Sequence, residues 1–150
     1  MATAIVGLGS CKGHRHAALS QAVALIARLA TPSPLKQSTI IESAPWGYSS
    51  DATYLNMCVS FTTELDPVEL LRRLQLIEKS IDPSPHRDAE GHYIDRVIDI
   101  DLIAVDRCKI DNDFLTLPHP RMHLRPFVIE PMMEIEPELG AELLRMDYDN

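Results

Sequence analysis

The sequence predicts an α+β fold with a ferredoxin-like core, in which the elements follow the order β-α-β-β-α-β around one antiparallel sheet. Three observations support this prediction. Segments with helical spacing of apolar residues alternate with strand-like segments. The chain has 150 residues, which is the length of one domain. Its composition, 45% hydrophobic and 24% charged, is typical of a globular protein. We therefore expect one domain, residues 1–150, whose sheet carries both helices on a single face.

The first half of the chain is expected to form one strand, one helix and two further strands. Residues 2–8 are an apolar run that is typical of a buried strand. Residues 16–30 place apolar side chains mostly along one flank of a helix, and Pro32 prevents its continuation. Residues 37–43 and 54–64 are strand candidates, and in the second of them apolar and polar residues alternate.

The second helix has the clearest start in the sequence. Asp66 is typical of an N-cap and Pro67 of the first helical position. The apolar residues that follow have the spacing of one helix face, which must lie against a core: Leu70, Leu74, Ile77 and Ile81. Residues 97–105 are too apolar for an exposed edge and are expected to form the last strand. The proline-rich residues 114–150 should form short helices and loops packed on this frame.

The charge balance and the cysteines limit the partners and the compartment. There are 14 Lys and Arg against 22 Asp and Glu, so the net charge is −8. An acidic chain repels nucleic acid and anionic membranes at long range, so we expect neither as a partner, and an anionic ligand needs a local cluster of cations. The cysteines are widely separated and form no C-x-x-C pair, which favours a reducing compartment. Because the N-terminus has no basic leader, we expect a cytoplasmic protein.

Two aspartates in the last predicted strand are candidate metal ligands. Asp99 and Asp101 are two residues apart, so both carboxylates lie on one face of the strand. Two acids at this spacing repel each other and are costly to desolvate, and a bound divalent cation would relieve both effects. Hard oxygen ligands favour Mg²⁺ over Zn²⁺. The alternative, a solvated sheet face that binds nothing, is equally compatible with the spacing.

The proline-rich loop that follows is a candidate anion site. His119, Arg121, His123 and Arg125 gather up to four cations in this loop of an acidic protein. The i, i+4 spacing of the two histidines would also suggest zinc, but no third ligand is evident and the prolines oppose a regular helix. A solvated loop is the alternative interpretation, foremost for Arg121 and His123. Arg96 adds a cation near the acids, provided that the strand begins only after it, since strict alternation would turn it away.

Two motifs together carry a family resemblance: Arg96-x-x-Asp99-x-Asp101, and Leu117-Pro118-His119-Pro120 with Arg125 six residues after the histidine. In combination they resemble the 6-hydroxymethyl-7,8-dihydropterin pyrophosphokinase family of folate biosynthesis. Other segments agree in order and spacing: Pro45-Trp46-Gly47, Tyr54-Leu55-Asn56 and Gln75-x-x-Glu78. The match extends from about residue 4 to residue 140.

The resemblance implies that a pyrophosphoryl group passes from ATP to the hydroxymethyl oxygen of the pterin, with AMP as the other product. It implies two Mg²⁺ ions, held by Asp99 and Asp101, which would bridge the phosphates and the incoming hydroxyl. The remaining catalytic and phosphate-binding groups would be Arg96, His119 and Arg125. The nucleotide would also contact Gln75, Glu78 and Arg87. The pterin would contact, by stacking and hydrogen bonding, Pro45, Trp46, Gly47, Tyr54, Asn56 and Phe127. We expect a monomer that binds only these small molecules.

The chain departs from the family pattern at three places. Cys11 stands where the family usually has asparagine, and Tyr93 stands where tryptophan is common. Family members commonly carry several arginines in a mobile loop after the second helix, and here only Arg87 could replace one of them; an ordinary exposed residue is the alternative. Two other functions use the same residues: a non-catalytic paralogue that binds nucleotide or pterin, and an Mg²⁺-dependent phosphohydrolase.

Overall fold

The computed structural model describes residues 1–44, 53–83, 89–90 and 96–146. In chain order its elements are β1 (Ala2–Ser10), α1 (Arg15–Ala27), β2 (Lys36–Gln37), β3 (Ile41–Ser43), β4 (Tyr54–Thr63), α2 (Pro67–Ile81), β5 (Asp99–Val105), β6 (Ile110–Asp111), β7 (Thr116–Leu117), a 3₁₀ turn (Met122–Leu124), α3 (Pro126–Ile135) and α4 (Pro137–Leu144).

The main sheet is antiparallel and has β1 at its centre. β1 pairs with β4 on one side and with β5 on the other, while β2 and β3 follow one another along the far edge of β4. This strand order confirms the predicted α+β fold with a ferredoxin-like core. The predicted strands at 2–8, 54–64 and 97–105 are present, with ends displaced by one or two residues. The expectation that residues 97–105 are too apolar for an edge is wrong, because β5 pairs with β1 alone among the described strands and forms the edge of the main sheet. Its apolar side chains are buried by the helices on the two faces of the sheet, so they give no information on its place in the strand order. The β6–β7 hairpin was not predicted.

The strand predicted at 37–43 is two short strands with a break between them. At the break, Ser38 Oγ accepts a hydrogen bond from the Cys58 N–H (2.9 Å) and donates one to the Thr39 carbonyl (2.9 Å). The Thr39 N–H donates to the Glu134 carboxylate of α3 (2.8 Å). Side-chain acceptors therefore interrupt the ladder of backbone hydrogen bonds. The alternation of apolar and polar residues along the sequence does not predict such a break.

The helix predicted at 16–30 ends at Ala27, three residues early. The N–H groups of Arg28, Leu29 and Ala30 each donate to the carbonyl three residues back, at 3.3, 2.9 and 3.2 Å. The last turn is therefore tightened rather than continued as α-helix, which is common at helix ends.

Each face of the sheet is covered by a pair of helices. α1 and α2 pack on one face through fully buried side chains such as Leu19, Ile26, Leu70 and Leu74. α3 and α4 cover the other face, where Met132 and Leu143 meet Ile5, Cys58 and Ile103 of the strands. The expectation of short helices and loops after residue 114 is thereby confirmed.

A β-bulge in β5 separates an apolar half of the strand from an acidic half. Val6 pairs with Leu102 and Ile5 with Ala104, so Ile103 is the additional residue. Ile103 and Ala104 both belong to the core beneath α3 and α4. Asp99 and Asp101 lie before the bulge, at the end of the sheet where a cavity opens.

The start of α2 is as predicted, with Asp66 as N-cap and Pro67 as its first residue. Asp66 Oδ1 accepts from the Glu69 N–H at 3.0 Å. Asp66→Ala should lower the free energy of unfolding by about 1 kcal/mol, since it leaves this N–H without its acceptor. Urea denaturation measures the change. Asp66→Asn keeps an acceptor oxygen and should stay close to the unmodified chain; equal losses in the two variants would contradict the cap.

Candidate active site

Two adjoining cavities open at the end of the sheet where β5 begins. The first, of about 380 Å³, is lined by β1, β3, β4, β5 and the start of α3. The second, of about 480 Å³, lies between α2 and the β6–β7 hairpin. Asp101, His119 and Pro120 line both cavities and mark their junction. Asp99 lines the first cavity, whereas Gln75 lines the second.

The two aspartates have room in the first cavity because β1 offers no side chain opposite them. Asp99 pairs with Gly9, and Asp101 pairs with Gly7, across the ladder. Both carboxylates line the cavity, in agreement with the period of two along the strand. A Cβ atom on Gly9 would lie only 3.2 Å from Cδ1 of Tyr54. Glycine at this position therefore also lets the tyrosine ring approach the sheet.

Arg96 is a buried cation held by three carboxylates. It precedes β5, as its position beside the acids requires, and its side chain is only 3% exposed. The guanidinium nitrogens lie 3.3 Å from Asp99 Oδ1, 3.6 Å from Asp82 Oδ2 and 3.8 Å from Glu78 Oε1. The charge of Arg96 is thus balanced by acids of the chain itself, and its hydrogen bond to Asp99 orients that carboxylate.

The other two acids also tie α2 to the start of β5. Glu78 Oε2 accepts from the Ile100 N–H at 2.8 Å, and Asp82 Oδ2 accepts from the Val97 N–H at 3.2 Å. Ser10 Oγ donates to the Val97 carbonyl at 2.6 Å, which adds the end of β1. The segment that carries the metal-ligand candidates is therefore held on both sides.

The charge of the acid pair is unfavourable in this setting. Burial, and then the charge of Asp101, raise the pKa of Asp99 to about 7, although Arg96 opposes this shift. A cation between the carboxylates would favour their ionised form. Among the described residues no group of three or more His, Cys, Asp or Glu side chains could hold a metal. Two aspartates need further oxygens from water or phosphate, which is how Mg²⁺ is usually bound, so these residues fit that ion.

His119 is fixed at the junction by its backbone and by its ring. Its N–H donates to the Ile103 carbonyl (2.8 Å), and its Nδ1 accepts from the Arg121 N–H (3.2 Å). Burial lowers the pKa of His119; the charge of Asp101 opposes this shift and that of Arg125 adds to it. The ring is therefore neutral near pH 7. With Nδ1 as an acceptor, Nε2 carries the proton and can donate to a phosphate oxygen.

The other side chains of the predicted anion site differ in whether they line the cavity. Arg125 lines the first cavity, and its guanidinium carbon lies 5.9 Å from the centre of the Phe127 ring. Arg121 is exposed at the rim of the same cavity. His123 is exposed and lines neither cavity, in agreement with the solvated-loop interpretation.

The first cavity has two aromatic side chains and one amide side chain in its wall, from Tyr54, Phe127 and Asn56. Asn56 Nδ2 donates to Ser43 Oγ at 2.7 Å and, at 3.4 Å, to the Tyr54 carbonyl. Its Oδ1 is the atom available to accept from a ligand. A planar heterocycle with N–H groups on one edge is complementary to such a wall.

The chain is similar to known proteins over nearly its whole length. The model of the 7,8-dihydro-6-hydroxymethylpterin-pyrophosphokinase (HPPK) family matches residues 5–137. The chain belongs to this family. It is 38% identical, over 97% of its length and 85% of the relative's, to the 2-amino-4-hydroxy-6-hydroxymethyldihydropteridine pyrophosphokinase of Bacillus subtilis (strain 168). It is 35% identical to the protein of that name from Porphyromonas gingivalis (strain W83), over 95% of the chain and 96% of the relative.

Membership of the HPPK family confirms the function predicted from the sequence. The chain is a pyrophosphokinase that transfers pyrophosphate to hydroxymethyldihydropterin in folate biosynthesis. HPPK enzymes use ATP and generally depend on magnesium. In the described part of the chain, no helix has the length and apolar character needed to cross a membrane.

Most of the site residues predicted from the HPPK resemblance meet around the two cavities. The first cavity is lined by Arg96, Asp99, Asp101, His119, Arg125, Tyr54, Asn56 and Phe127. Gln75 and Glu78 line the second. The remaining predicted residues, Pro45, Trp46, Gly47 and Arg87, lie outside the described residues, as does Tyr93.

Sequence reasoning missed several residues that shape the site. Gly7 and Gly9 had a usable signal, because two glycines at a spacing of two leave one face of a strand bare. Asp82 and Ser43 had none, since each acts through a partner far along the chain: Asp82 through Val97, and Ser43 through Asn56.

The raised pKa of Asp99 predicts how the stability of the metal-free enzyme depends on pH. A folded-state pKa of about 7, above the ordinary value of 3.8, means that this carboxyl stabilises the fold below about pH 4 and loses that contribution as the pH rises through 7. Asp99→Asn should therefore gain stability relative to the unmodified chain between about pH 4 and about pH 8. Denaturation in the presence of a chelator measures this difference.

The exposed Asp111 of β6 provides a matched control, since Asp111→Asn should not reproduce the trend. A constant difference between Asp99→Asn and the unmodified chain across this pH range would show that burial does not oppose the charge of Asp99. Adding Mg²⁺ at the higher pH should stabilise the unmodified chain more than Asp99→Asn.

Proposed function

We propose that this chain binds the pterin in the first cavity and ATP in the second, and that the pyrophosphoryl group passes between them at the junction formed by Asp101, His119 and Pro120. The observation that carries this proposal is that two adjoining cavities, each with its own set of wall residues, share these three residues. A transfer reaction needs both substrates to meet at one point, whereas a binding module needs only one cavity.

The pterin fits the first cavity through its planar shape and its polar edge. Tyr54 and Phe127 offer ring faces for stacking, and Asn56 Oδ1 can accept from the N–H groups of the heterocycle. Ser43 fixes that amide in the required orientation. Pro45, Trp46 and Gly47 stay predicted pterin contacts on the grounds of family resemblance.

The nucleotide fits the second cavity through α2 and the β6–β7 hairpin. Gln75 is exposed at the cavity wall and offers both hydrogen-bond donors and an acceptor. Glu78 lines the same cavity, but its carboxylate already accepts from Ile100 and pairs with Arg96. We therefore expect Gln75 to contact the nucleotide directly, whereas Glu78 only forms part of the cavity wall. Arg87 stays a predicted contact.

Asp99 and Asp101 would hold two Mg²⁺ ions together with phosphate oxygens. When bound, the ions would lower the pKa of the pterin hydroxyl and offset the negative charge on the phosphates. The protein contributes two hard ligands on one rigid strand, and Arg96 fixes the orientation of Asp99. Because Arg96 is buried among three acids, its contacts favour such a positioning role over direct phosphate binding.

The phosphates would be held by the loop that carries the second motif. His119 Nε2 can donate a hydrogen bond at the junction, and Arg125 adds a permanent positive charge in the first cavity. The backbone of this loop is tied to β5 through the hydrogen bond from the His119 N–H to the Ile103 carbonyl, which keeps His119 next to the strand that carries the acids.

The direct test is the product of the reaction. Incubation with ATP, Mg²⁺ and 6-hydroxymethyl-7,8-dihydropterin should give AMP and the pterin pyrophosphate. ADP or free phosphate in place of AMP would contradict this function, since a phosphohydrolase using the same acids gives those products. Formation of ADP or free phosphate in the absence of pterin would likewise indicate a phosphohydrolase.

Asp99→Ala and Asp101→Ala should each reduce the rate of AMP formation by about a thousandfold, because each removes a ligand whose ion contributes several kcal/mol in the transition state. A quenched assay at saturating ATP and pterin measures this. Glu64→Ala is the matched control, since Glu64 is exposed beyond the opposite end of β4. A folded aspartate variant with nearly unchanged turnover would rule out the metal assignment.

Phe127→Ala should weaken pterin binding by about tenfold and leave ATP binding nearly unchanged, since stacking on a planar ring contributes on the order of 1 kcal/mol beyond buried area. Calorimetric titration with each ligand separately measures both constants. Phe127→Leu keeps apolar packing against the core under α3 and serves as control for stability. Equal losses for both ligands would mean that Phe127 is a core residue rather than a pterin contact.

A further inference from the structure

Phe114 is an exposed aromatic residue at the wall of the second cavity. Its relative exposure is 66%, and it lies in the loop between β6 and β7. In the described ranges of the chain, four other large apolar side chains are also exposed, and none of them lines either cavity: Met1, Ile40, Leu76 and Leu124.

The loop that presents Phe114 is held in place by hydrogen bonds. Asn112 Oδ1 accepts from the N–H groups of Phe114 (3.1 Å) and Leu115 (2.9 Å). The Asn112 N–H donates to the Leu115 carbonyl (3.1 Å), and the Leu115 side chain is buried in the core beneath α2. The backbone on both sides of Phe114 is therefore fixed, and the ring faces solvent without serving the turn.

The surroundings of Phe114 suit a flat aromatic ligand. Leu71 and Ile100 add apolar surface to the second cavity, and Gln75 adds a polar group. The face of a planar base would cover the apolar surface, while its edge would meet the polar group. Phosphate groups gain nothing from a phenyl ring, and they have partners of their own at the junction.

We propose that Phe114 is the platform on which the purine base of the nucleotide stacks, and that it makes the enzyme select a nucleoside triphosphate over a bare polyphosphate. This proposal rests on the assignment of ATP to the second cavity. Every base has a π-face, so stacking discriminates by ring area rather than by hydrogen-bond pattern. A purine, with the larger area, gains more from Phe114 than a pyrimidine does.

Stacking on the base is remote from the reacting phosphate and is equally present before and during transfer. Such uniform binding lowers KM without changing kcat. Loss of the ring should therefore raise the KM for ATP and leave kcat at saturating ATP close to its original value. A residue that merely supported the fold or the metal ligands would lower kcat.

The test compares Mg²⁺ complexes of ATP, CTP and inorganic tripolyphosphate as ligands of the full chain, by calorimetry. Phe114→Ala should weaken ATP binding by about tenfold, CTP binding by less, and tripolyphosphate binding not at all. Phe114→Tyr keeps the ring and should bind ATP as the unmodified chain does. Leu76→Ala is the matched control, because Leu76 is 64% exposed on α2 and lines neither cavity.

A second readout follows the base itself. In the nuclear magnetic resonance spectrum of bound ATP, the H2 and H8 protons of adenine should shift upfield over an aromatic ring, and Phe114→Leu should abolish this shift. Phe114→Leu keeps an apolar side chain, so it distinguishes stacking on an aromatic ring from simple apolar contact with the base. An unchanged shift in this variant would overturn the proposal.

The outcomes distinguish this proposal from the placement of ATP on which it rests. If the unmodified chain binds ATP and tripolyphosphate equally well, no cavity takes the base, and the placement itself is wrong. If it prefers ATP and Phe114→Ala keeps that preference, the placement stands and the role of Phe114 is wrong. Equal weakening of ATP and tripolyphosphate would also overturn the proposal, since the ring would then act on the phosphates or on the fold.

Discussion

The arrangement of the site depends on one buried ion cluster, in which the guanidinium of Arg96 meets Glu78, Asp82 and Asp99. A buried arginine is tolerable only with partners, because desolvation of an unpaired charge costs several kcal/mol. The partners come from the end of α2 and the start of β5, so the need to pair this charge joins two elements distant in the chain. Asp99 is a partner of Arg96 and also lines the first cavity, so the contacts that hold the cluster together also fix the orientation of a carboxylate in the cavity wall.

The rest of the site follows from how β1 and β5 pair. Opposite the acids β1 carries only glycines. The backbone of β1 therefore forms the bottom of the cavity, and side chains from other elements form its sides. Beyond the bulge at Ile103 the same face is apolar and packed against α3 and α4. The additional residue lets both Ile103 and Ala104 join the core beneath α3 and α4. The Ile103 carbonyl also accepts a hydrogen bond from the His119 N–H, which places the loop that carries His119 beside the acids.

Features that depend on neighbouring residues could be predicted from the sequence, and those that depend on distant partners could not. The start of α2 at Asp66 and the shared face of Asp99 and Asp101 follow from local spacing. The order of the strands follows from the order of helical and extended segments. In contrast, the break at Ser38 depends on Cys58 and Glu134. The position of Asp82 beside Arg96 depends on tertiary packing, which residue spacing along the chain does not reveal.

The helices that cover the second sheet face, α3 and α4, are the last described elements to be synthesised. In chain order β1, α1, β4, α2 and β5 all leave the ribosome before α3 and α4 do. Until the last segment emerges, Ile5, Cys58 and Ile103 stay uncovered, and the acids lack the cations of the following loop. α3 both covers this part of the core and brings Phe127 to the wall of the first cavity.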